Sequence, residues 1–208
     1  MKIITFSNGI IGKKLIKALF EKGFKINLNV WTGDEKELVT NDKFFEQFTS
    51  ETVNWREYRN FIDDRNTIKF DWLLNLWNSK ILNRVDLKTS KKTLNIHPGL
   101  IPYTKGCDCA TWAIQNSYPA GITLMEMNEK IDDGDVYCTK ELAHEFPISG
   151  NELNQMIKKE TLSFFTKNIS DIISGKIKPR KSKDLGNYFS RKDTLENSFL
   201  NISNNKKI

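Results

Sequence analysis

The run Asp71-Trp72-Leu73-Leu74-Asn75-Leu76-Trp77 is almost continuously apolar over the length of a strand, and it restricts the fold more than any other stretch. A strand with one wet face alternates apolar and polar residues. One that stays apolar at successive positions has both faces covered, as in the interior of a parallel sheet lying between helices. The upstream segments have the matching rhythm. Residues 2–6 read as a strand, Ser7-Asn8-Gly9-Ile10-Ile11-Gly12 as a glycine turn, and residues 13–22 as a helix with Leu15, Ile16, Leu19 and Phe20 on one face and Gly23 as its stop. Residues 25–32 alternate as a second strand, 34–48 have a helical period, 52–55 form a short strand and 56–69 a helix. Residues 92–97 are a further strand. Alternation of this kind implies right-handed crossovers and a mostly parallel sheet.

After residue 120 the pattern changes. Residues 121–127 and 136–143 read as strands joined by a folded-back loop, 128–135. Residues 151–174 then form a long amphipathic helix carrying Leu153, Ile157, Leu162, Phe165 and Ile169, with Gly150 before it, Gly175 after it and Pro179 barring continuation. The expected fold is α/β: a doubly wound, mostly parallel, Rossmann-like sheet with a late antiparallel hairpin and a long C-terminal helix. Residues 1–178 are expected to form one domain and 179–208 a basic extension.

Composition excludes several classes. With 38% apolar residues, five Trp and thirteen Phe in 208 residues, the chain can build one core, so wholesale disorder is ruled out. No run approaches the roughly 18 apolar residues of a membrane span, and the polar turn after residue 5 argues against a secretory signal. Three cysteines, Cys107, Cys109 and Cys138, form no closed disulfide set, which suits a reducing cytoplasm; each reads as a small apolar filler. The net charge of +6 lies wholly in residues 176–208, where nine Lys/Arg face three Asp/Glu. A solvated tail explains it better than an anionic partner does, and the body has no basic stripe for nucleic acid.

Two polar clusters carry chemistry. In Leu94-Asn95-Ile96-His97-Pro98-Gly99, Asn95 and His97 are two apart on a strand, so an amide and an imidazole share one face where Pro98 and Gly99 end the strand. In an open α/β sheet that C-terminal edge is where ligands bind. The other histidine, His144, reads as an ordinary loop residue. The second cluster is Ile131-Asp132-Asp133-Gly134-Asp135, which lacks the ligand alternation and closing glutamate of a calcium loop. Cys107, Cys109 and His97 lack a fourth zinc ligand, so no metal is expected. The turn Asn8-Gly9-Ile10-Ile11-Gly12 suits an anion at a helix N-terminus, or simply a tight turn; it lacks the full dinucleotide spacing.

The stretch Asn95-Ile96-His97-Pro98-Gly99-Leu100-Ile101-Pro102-Tyr103-Thr104-Lys105-Gly106, with Trp112-Ala113-Ile114-Gln115-Asn116, Gly121-Ile122-Thr123, Met127-Asn128 and the acidic loop, resembles the signature of the formyltetrahydrofolate-dependent formyltransferases. The match is densest over residues 71–143. The resemblance implies a catalytic set of Asn95, His97 and Asp132, with Asp132 preferred to Asp133 because it directly follows the isoleucine of the loop. It implies N10-formyltetrahydrofolate as formyl donor, with Trp77, Lys80, Ile81, Leu82, Asn128 and Ile131 as cofactor contacts. Asn95 and His97 would donate to the developing oxyanion, and whether His97 or Asp132 is the final base stays open.

The acceptor follows from finer likeness. The thirty-odd residues after Gly175 are too few for the tRNA-binding domain of methionyl-tRNA formyltransferases. His-Pro-Gly, in place of His-Pro-Ser, and the segment Gly186-Asn187-Tyr188-Phe189-Ser190-Arg191-Lys192-Asp193 are more similar to the enzymes of nucleotide-linked amino sugars. The expected substrate is a dTDP-4-amino-4,6-dideoxyglucose type of compound, as used in O-antigen biosynthesis. Asn8, Gly9, Tyr103, Lys105, Gly106 and Asp108 are its candidate contacts. A departure is Cys107-Asp108-Cys109, where sugar enzymes often carry an aromatic residue. The competing readings are a glycinamide ribonucleotide formyltransferase, a non-catalytic folate- or nucleotide-binding relative, and a nucleic-acid module using the tail. The expected setting is a cytoplasmic enzyme without nucleic-acid or membrane partners, and a homodimer is compatible with it.

Overall fold

A computed structural model describes residues 1–62, 69–143, 148–182 and 186–196. Seven strands make one sheet: β1 (Ile3–Ser7), β2 (Leu28–Trp31), β3 (Thr52–Asn54), β4 (Phe70–Leu76), β5 (Ser90–His97), β7 (Ala120–Met125) and β8 (Val136–Leu142), in the order β3-β2-β1-β4-β5-β7-β8. The first five run parallel; β7 lies antiparallel to β5, and β8 to β7. This is the expected doubly wound sheet with a late hairpin. Two-residue strands β6 (Lys105–Gly106) and β9 (Tyr188–Phe189) pair separately. The helices are α1 (Gly9–Glu21), α2 (Glu35–Thr40), α3 (Asp42–Phe48), α4 (Trp55–Phe61), α5 (Arg84–Leu87), α6 (Cys109–Gln115), α7 (Gly150–Ile173) and α8 (Arg191–Glu196).

As its apolar run requires, β4 is covered on both sides. Trp72, Leu74 and Leu76 join the core under α1, α3, α6 and α7, while Leu73 faces the second core with Phe6, Val30 and Tyr58. Helix α1 crosses the sheet at Gly12, where a Cβ would lie 3.0 Å from the Leu76 carbonyl oxygen, so only glycine lets the helix approach this closely. That approach aims the start of α1 at the ends of β1 and β4, where the strand order reverses direction.

Several local expectations change. The helix expected over 34–48 is two helices meeting at Asn41, whose side-chain amide donates to the Glu37 carbonyl; the Thr40 hydroxyl likewise bonds the carbonyls of Lys36 and Glu37. Such side chains compete with the backbone ladder and stop a helix. The glycine turn is absorbed into α1, which starts at Gly9. Helix α7 starts at Gly150 behind a Ser149–Glu152 capping box. Of the helix expected over 56–69, the part beyond residue 62 lies outside the described residues, as does His144.

The line at 178/179 is crossed by hydrogen bonds. Val136 and Arg180 exchange backbone bonds of 2.8 and 2.9 Å, and β9 pairs with β6. Phe189 stacks on Trp112 with centroids 4.2 Å apart, so residues 186–196 pack against the elements that follow β5.

Helix α5 is anchored by Asp86. Its carboxylate is fully buried, with Oδ1 2.7 Å from an Arg59 nitrogen and Oδ2 accepting from the Asn83 amide at 2.8 Å. Asp86→Ala removes both bonds and strands Arg59, which is only a third exposed. The variant should be less stable by about 2 kcal/mol, below the roughly 3–5 kcal/mol of a fully buried broken pair because a third of the Arg59 side chain stays in water. Urea unfolding measures this, and an unchanged midpoint would contradict it.

Candidate functional site

Strand β5 pairs Asn95 with Asn75 of β4 on one side and with Met125 of β7 on the other, which places Asn95 and His97 on one face at the sheet's C-terminal edge. The loop after β7 returns over that edge and brings Asp132 onto both. Asn95 Nδ2 donates to Asp132 Oδ1 at 3.0 Å, and His97 Nδ1 lies 3.3 Å from Asp132 Oδ2. The Gly106 amide donates to the same Oδ2 at 3.0 Å. Asn95 Oδ1 in turn accepts from Asn75 Nδ2 at 2.8 Å. The three residues expected to act together therefore form one connected network, and one N–H of the Asn95 amide is not used within it.

The turn after β5 is tied down from beneath. Thr123 of β7, buried and paired with His97, donates from its hydroxyl to the Gly99 carbonyl at 2.8 Å and accepts from the Ile101 amide at 3.1 Å. The Ile101–Pro102 peptide is cis. Asp132 has φ 50°, a left-handed conformation that Asp and Asn adopt more readily than other side chains. That conformation turns its carboxylate inward while Asp133 points out to Lys105.

His97 is 2% exposed and both its ring nitrogens face oxygen. Nε2 is 2.8 Å from the Thr104 carbonyl, with the Cys109 sulfur 3.6 Å away. Only the doubly protonated ring donates to both oxygens. Burial alone would pull the His97 pKa down; the Cys109 sulfur, the Asp132 carboxylate and the Thr104 carbonyl outweigh it and push it up to about 10. An unfolded imidazole titrates near 6.5. The charged ring therefore contributes its full stabilisation below pH 6.5 and loses it as the pH rises towards about 10. Between those limits the wild type should lose stability relative to His97→Gln in urea titrations, and parallel curves for the two would contradict this.

The remaining expected contacts fall into separate places. Lys80, Ile81, Leu82, Asn128 and Ile131 line one slot with Asn75, Asn95, Met127 and Asp132. Asn8 and Gly9 line a different cavity of about 750 Å³ at the start of α1, with Lys13, Lys14, Lys158 and Lys159. Trp77, expected on the cofactor side, stands in the wall of this second cavity. It leaves β4 at φ 65°, and the change of direction carries its ring to the β1 side.

Lys105, expected as a substrate contact, is buried with its ammonium 2.6 Å from Asp133, which holds the Asp133 carboxyl below the usual range. It braces the acidic loop. Gly106 serves Asp132 through its amide. Tyr103 is partly exposed beside Tyr118, and Asp108, at φ 53°, borders a third cavity with Pro98, Asn151 and Asn154. Cys109 is buried, but Cys107 is exposed and fills no core.

Asn75, Thr104 and Cys109 belong to the site and were not expected there. For Asn75 the signal was available, a lone amide inside an apolar strand. Thr104 acts through its backbone, which no side-chain pattern reports. Among the described residues no group of three His, Cys, Asp or Glu could hold a metal ion, and no helix is long and apolar enough to cross a membrane.

A methionyl-tRNA formyltransferase of Clostridium novyi is 28% identical over 134 residues, covering 64% of this chain and 43% of the relative. The chain spans about two fifths of the length of the curated relatives it matches. Among solved structures, a 4-N formyltransferase from Francisella tularensis superposes with a TM-score of 0.72 at 22% identity, covering 94% of this chain and 78% of that one. An N-formyltransferase from Helicobacter canadensis, solved with folinic acid and dTDP-3-aminofucose, gives 0.70 at 18% identity, covering 92% and 71%. These structures share the fold described above. The formyl transferase family model matches residues 74–169, the span holding Asn75, Asn95, His97 and Asp132.

Proposed function

We propose that the chain transfers the formyl group of N10-formyltetrahydrofolate to the amine of a nucleotide-linked amino sugar. The observation that carries this reading is the Asn95–His97–Asp132 network at the end of β5. Its Asn95 and Asp132 line the slot formed by residues 80–82 and 126–132, and the cavity bearing four lysines begins at Trp77, two residues beyond the Asn75 that bonds Asn95. The slot suits a flat heterocycle: Leu82, Leu87 and Met127 offer apolar contact, and Asn75, Asn95 and Asn128 offer amides at its edges. Bound there, the folate would supply an activated formyl carbon.

The chain's residues then divide the work. The amine attacks that carbon, and its new C–N bond replaces the bond to the folate nitrogen. The unused N–H of Asn95 faces the carbonyl oxygen as negative charge grows on it, a donor of the kind whose loss elsewhere costs about 3–4 kcal/mol. Asp132 accepts the proton released by the amine, directly or through one water, and returns it to the departing nitrogen. His97 has both nitrogens occupied and stays charged beneath Asp132, holding its carboxylate in place. This assigns the base role to Asp132 and gives His97 no direct contact with the oxyanion.

The sugar acceptor is supported by the lysines around the α1 cavity, which suit a diphosphate, and by the sugar substrate of the Helicobacter canadensis structure. The test is incubation with N10-formyltetrahydrofolate and a panel of amino-sugar nucleotides, with glycinamide ribonucleotide and methionyl-tRNA as competing acceptors. Formylation confined to the amino-sugar nucleotides supports the reading. Preferential formylation of either competitor overturns the acceptor, and formylation of none overturns the activity.

A further inference from the structure

Trp77 is in a backbone conformation that works against it. At φ 65° it occupies the left-handed region, which costs a residue with a Cβ about 1–2 kcal/mol and which glycine enters freely. A bulky aromatic there is a true outlier, and such outliers gather where a ligand is held. Its ring is half-buried in the wall of the α1 cavity beside Leu162. Lys14, Lys158 and Lys159 line the same cavity and form no close ion pair among the described residues, Lys159 feeling the neighbouring Glu160 only at longer range; Lys13 is bonded to the Asn41 side chain, and Glu37 is the sole carboxylate in the lining. The cavity thus offers an aromatic face next to four lysines and one carboxylate, a net positive lining.

Strand order gives these groups a sequence in space. Ser7 pairs with Leu76 and Asn75 with Asn95, so the ends of β1, β4 and β5 stand side by side. Neighbouring strands are about 4.8 Å apart. The start of α1 is at the first end, Trp77 at the middle one and the Asn95–Asp132 pair at the third. A phosphorylated pyranose has the same order: phosphate at C1, a ring with an apolar C–H face, and an amine across the ring.

We propose that Trp77 is the specificity-determining platform for the acceptor, receiving the pyranose on its indole face while Lys158 and Lys159 take the phosphates and the amine reaches Asn95. This rests on the sugar reading above and adds the residue that selects the ring. It explains why a side chain disfavoured by its backbone stands at this position: its worth lies in the complex, since an aromatic face offers a large rigid contact for a ring that is apolar on one side and polar at its rim.

Trp77→Gly separates the two roles, because glycine relieves the backbone and removes the platform. The variant should stay folded with a melting temperature a few degrees below wild type, because relief of the backbone offsets part of the core packing that the half-buried ring loses. Its KM for a dTDP-linked amino sugar should rise at least tenfold, with the KM for N10-formyltetrahydrofolate within twofold of wild type. Trp77→Phe should restore the acceptor KM to within threefold. Titration with the same dTDP-sugar, followed by indole fluorescence, should show quenching that the glycine variant lacks.

An acceptor KM within twofold of wild type in Trp77→Gly, or equal quenching in both proteins, overturns the proposal. If the wild type forms no product yet shows Trp77-dependent quenching by the dTDP-sugar, the transfer activity falls and the platform stands. With neither product nor quenching, both fall.

Discussion

Replacing Asp132 with asparagine is expected to lower kcat about 10³-fold, within the range for losing a positioned acid–base group, while the protein stays folded. The carboxylate accepts two hydrogen bonds, from Asn95 Nδ2 and the Gly106 amide, and faces His97 Nδ1 as an ion pair at 3.3 Å. An asparagine can turn its oxygen to only one side, so its NH2 must then face a donor. The negative charge opposite the imidazolium also disappears, which lowers the His97 pKa. The folded state should survive because asparagine tolerates the φ of 50° at this position, whereas alanine would add backbone strain to the chemical loss. Steady-state kinetics and circular dichroism on the same preparation measure both parts. A variant within tenfold of wild-type kcat would remove Asp132 from the base role and bring Asp133 back into consideration.

Gly99→Ala should cost about 10²-fold in kcat, although the residue touches no substrate. A Cβ at position 99 would collide with His97 Nε2 and sit 2.7 Å from the Thr104 carbonyl oxygen and 2.8 Å from the Cys109 sulfur. The last two atoms form the cradle of the imidazole. The Thr123 hydroxyl holds the turn at the Gly99 carbonyl and the Ile101 amide, which restrains the backbone from retreating. The ring must move instead, and a displacement near 1 Å in a catalytic constellation costs about this factor. The melting temperature should fall by only a few degrees, since the added methyl displaces a polar ring rather than opening the main core. Wild-type kinetics in Gly99→Ala would show that the ring is not held where the structure places it.

How much of this was legible beforehand depended on the range of the interaction. The apolar run in β4 and the alternation in β5 are local patterns, and they specified a buried parallel sheet with Asn95 and His97 on one face. The acidic loop was visible as a cluster, and only its resemblance to known enzymes singled out Asp132. The short elements β6 and α6 were not expected. Helix α6 has no capping side chain, and Asp108 before it is left-handed. The β6–β9 pairing joins residues about eighty positions apart, beyond the reach of any periodicity. Lys105 is a candidate substrate contact on sequence grounds; the ion pair with Asp133 is what lets it be buried instead. The Cys109–His97 contact likewise depends on how the turn folds back, which spacing alone does not disclose.

The most direct test is to follow a 13C label from the formyl group of N10-formyltetrahydrofolate by NMR in the presence of a dTDP-linked amino sugar. With the wild type, the label should leave the folate and appear as a formamide on the sugar nitrogen. With Asp132→Asn, the signal should grow about 10³-fold more slowly under the same conditions. Equal rates from the two proteins, or a label that never reaches nitrogen, would contradict the assignment of transfer chemistry to the Asn95–His97–Asp132 network.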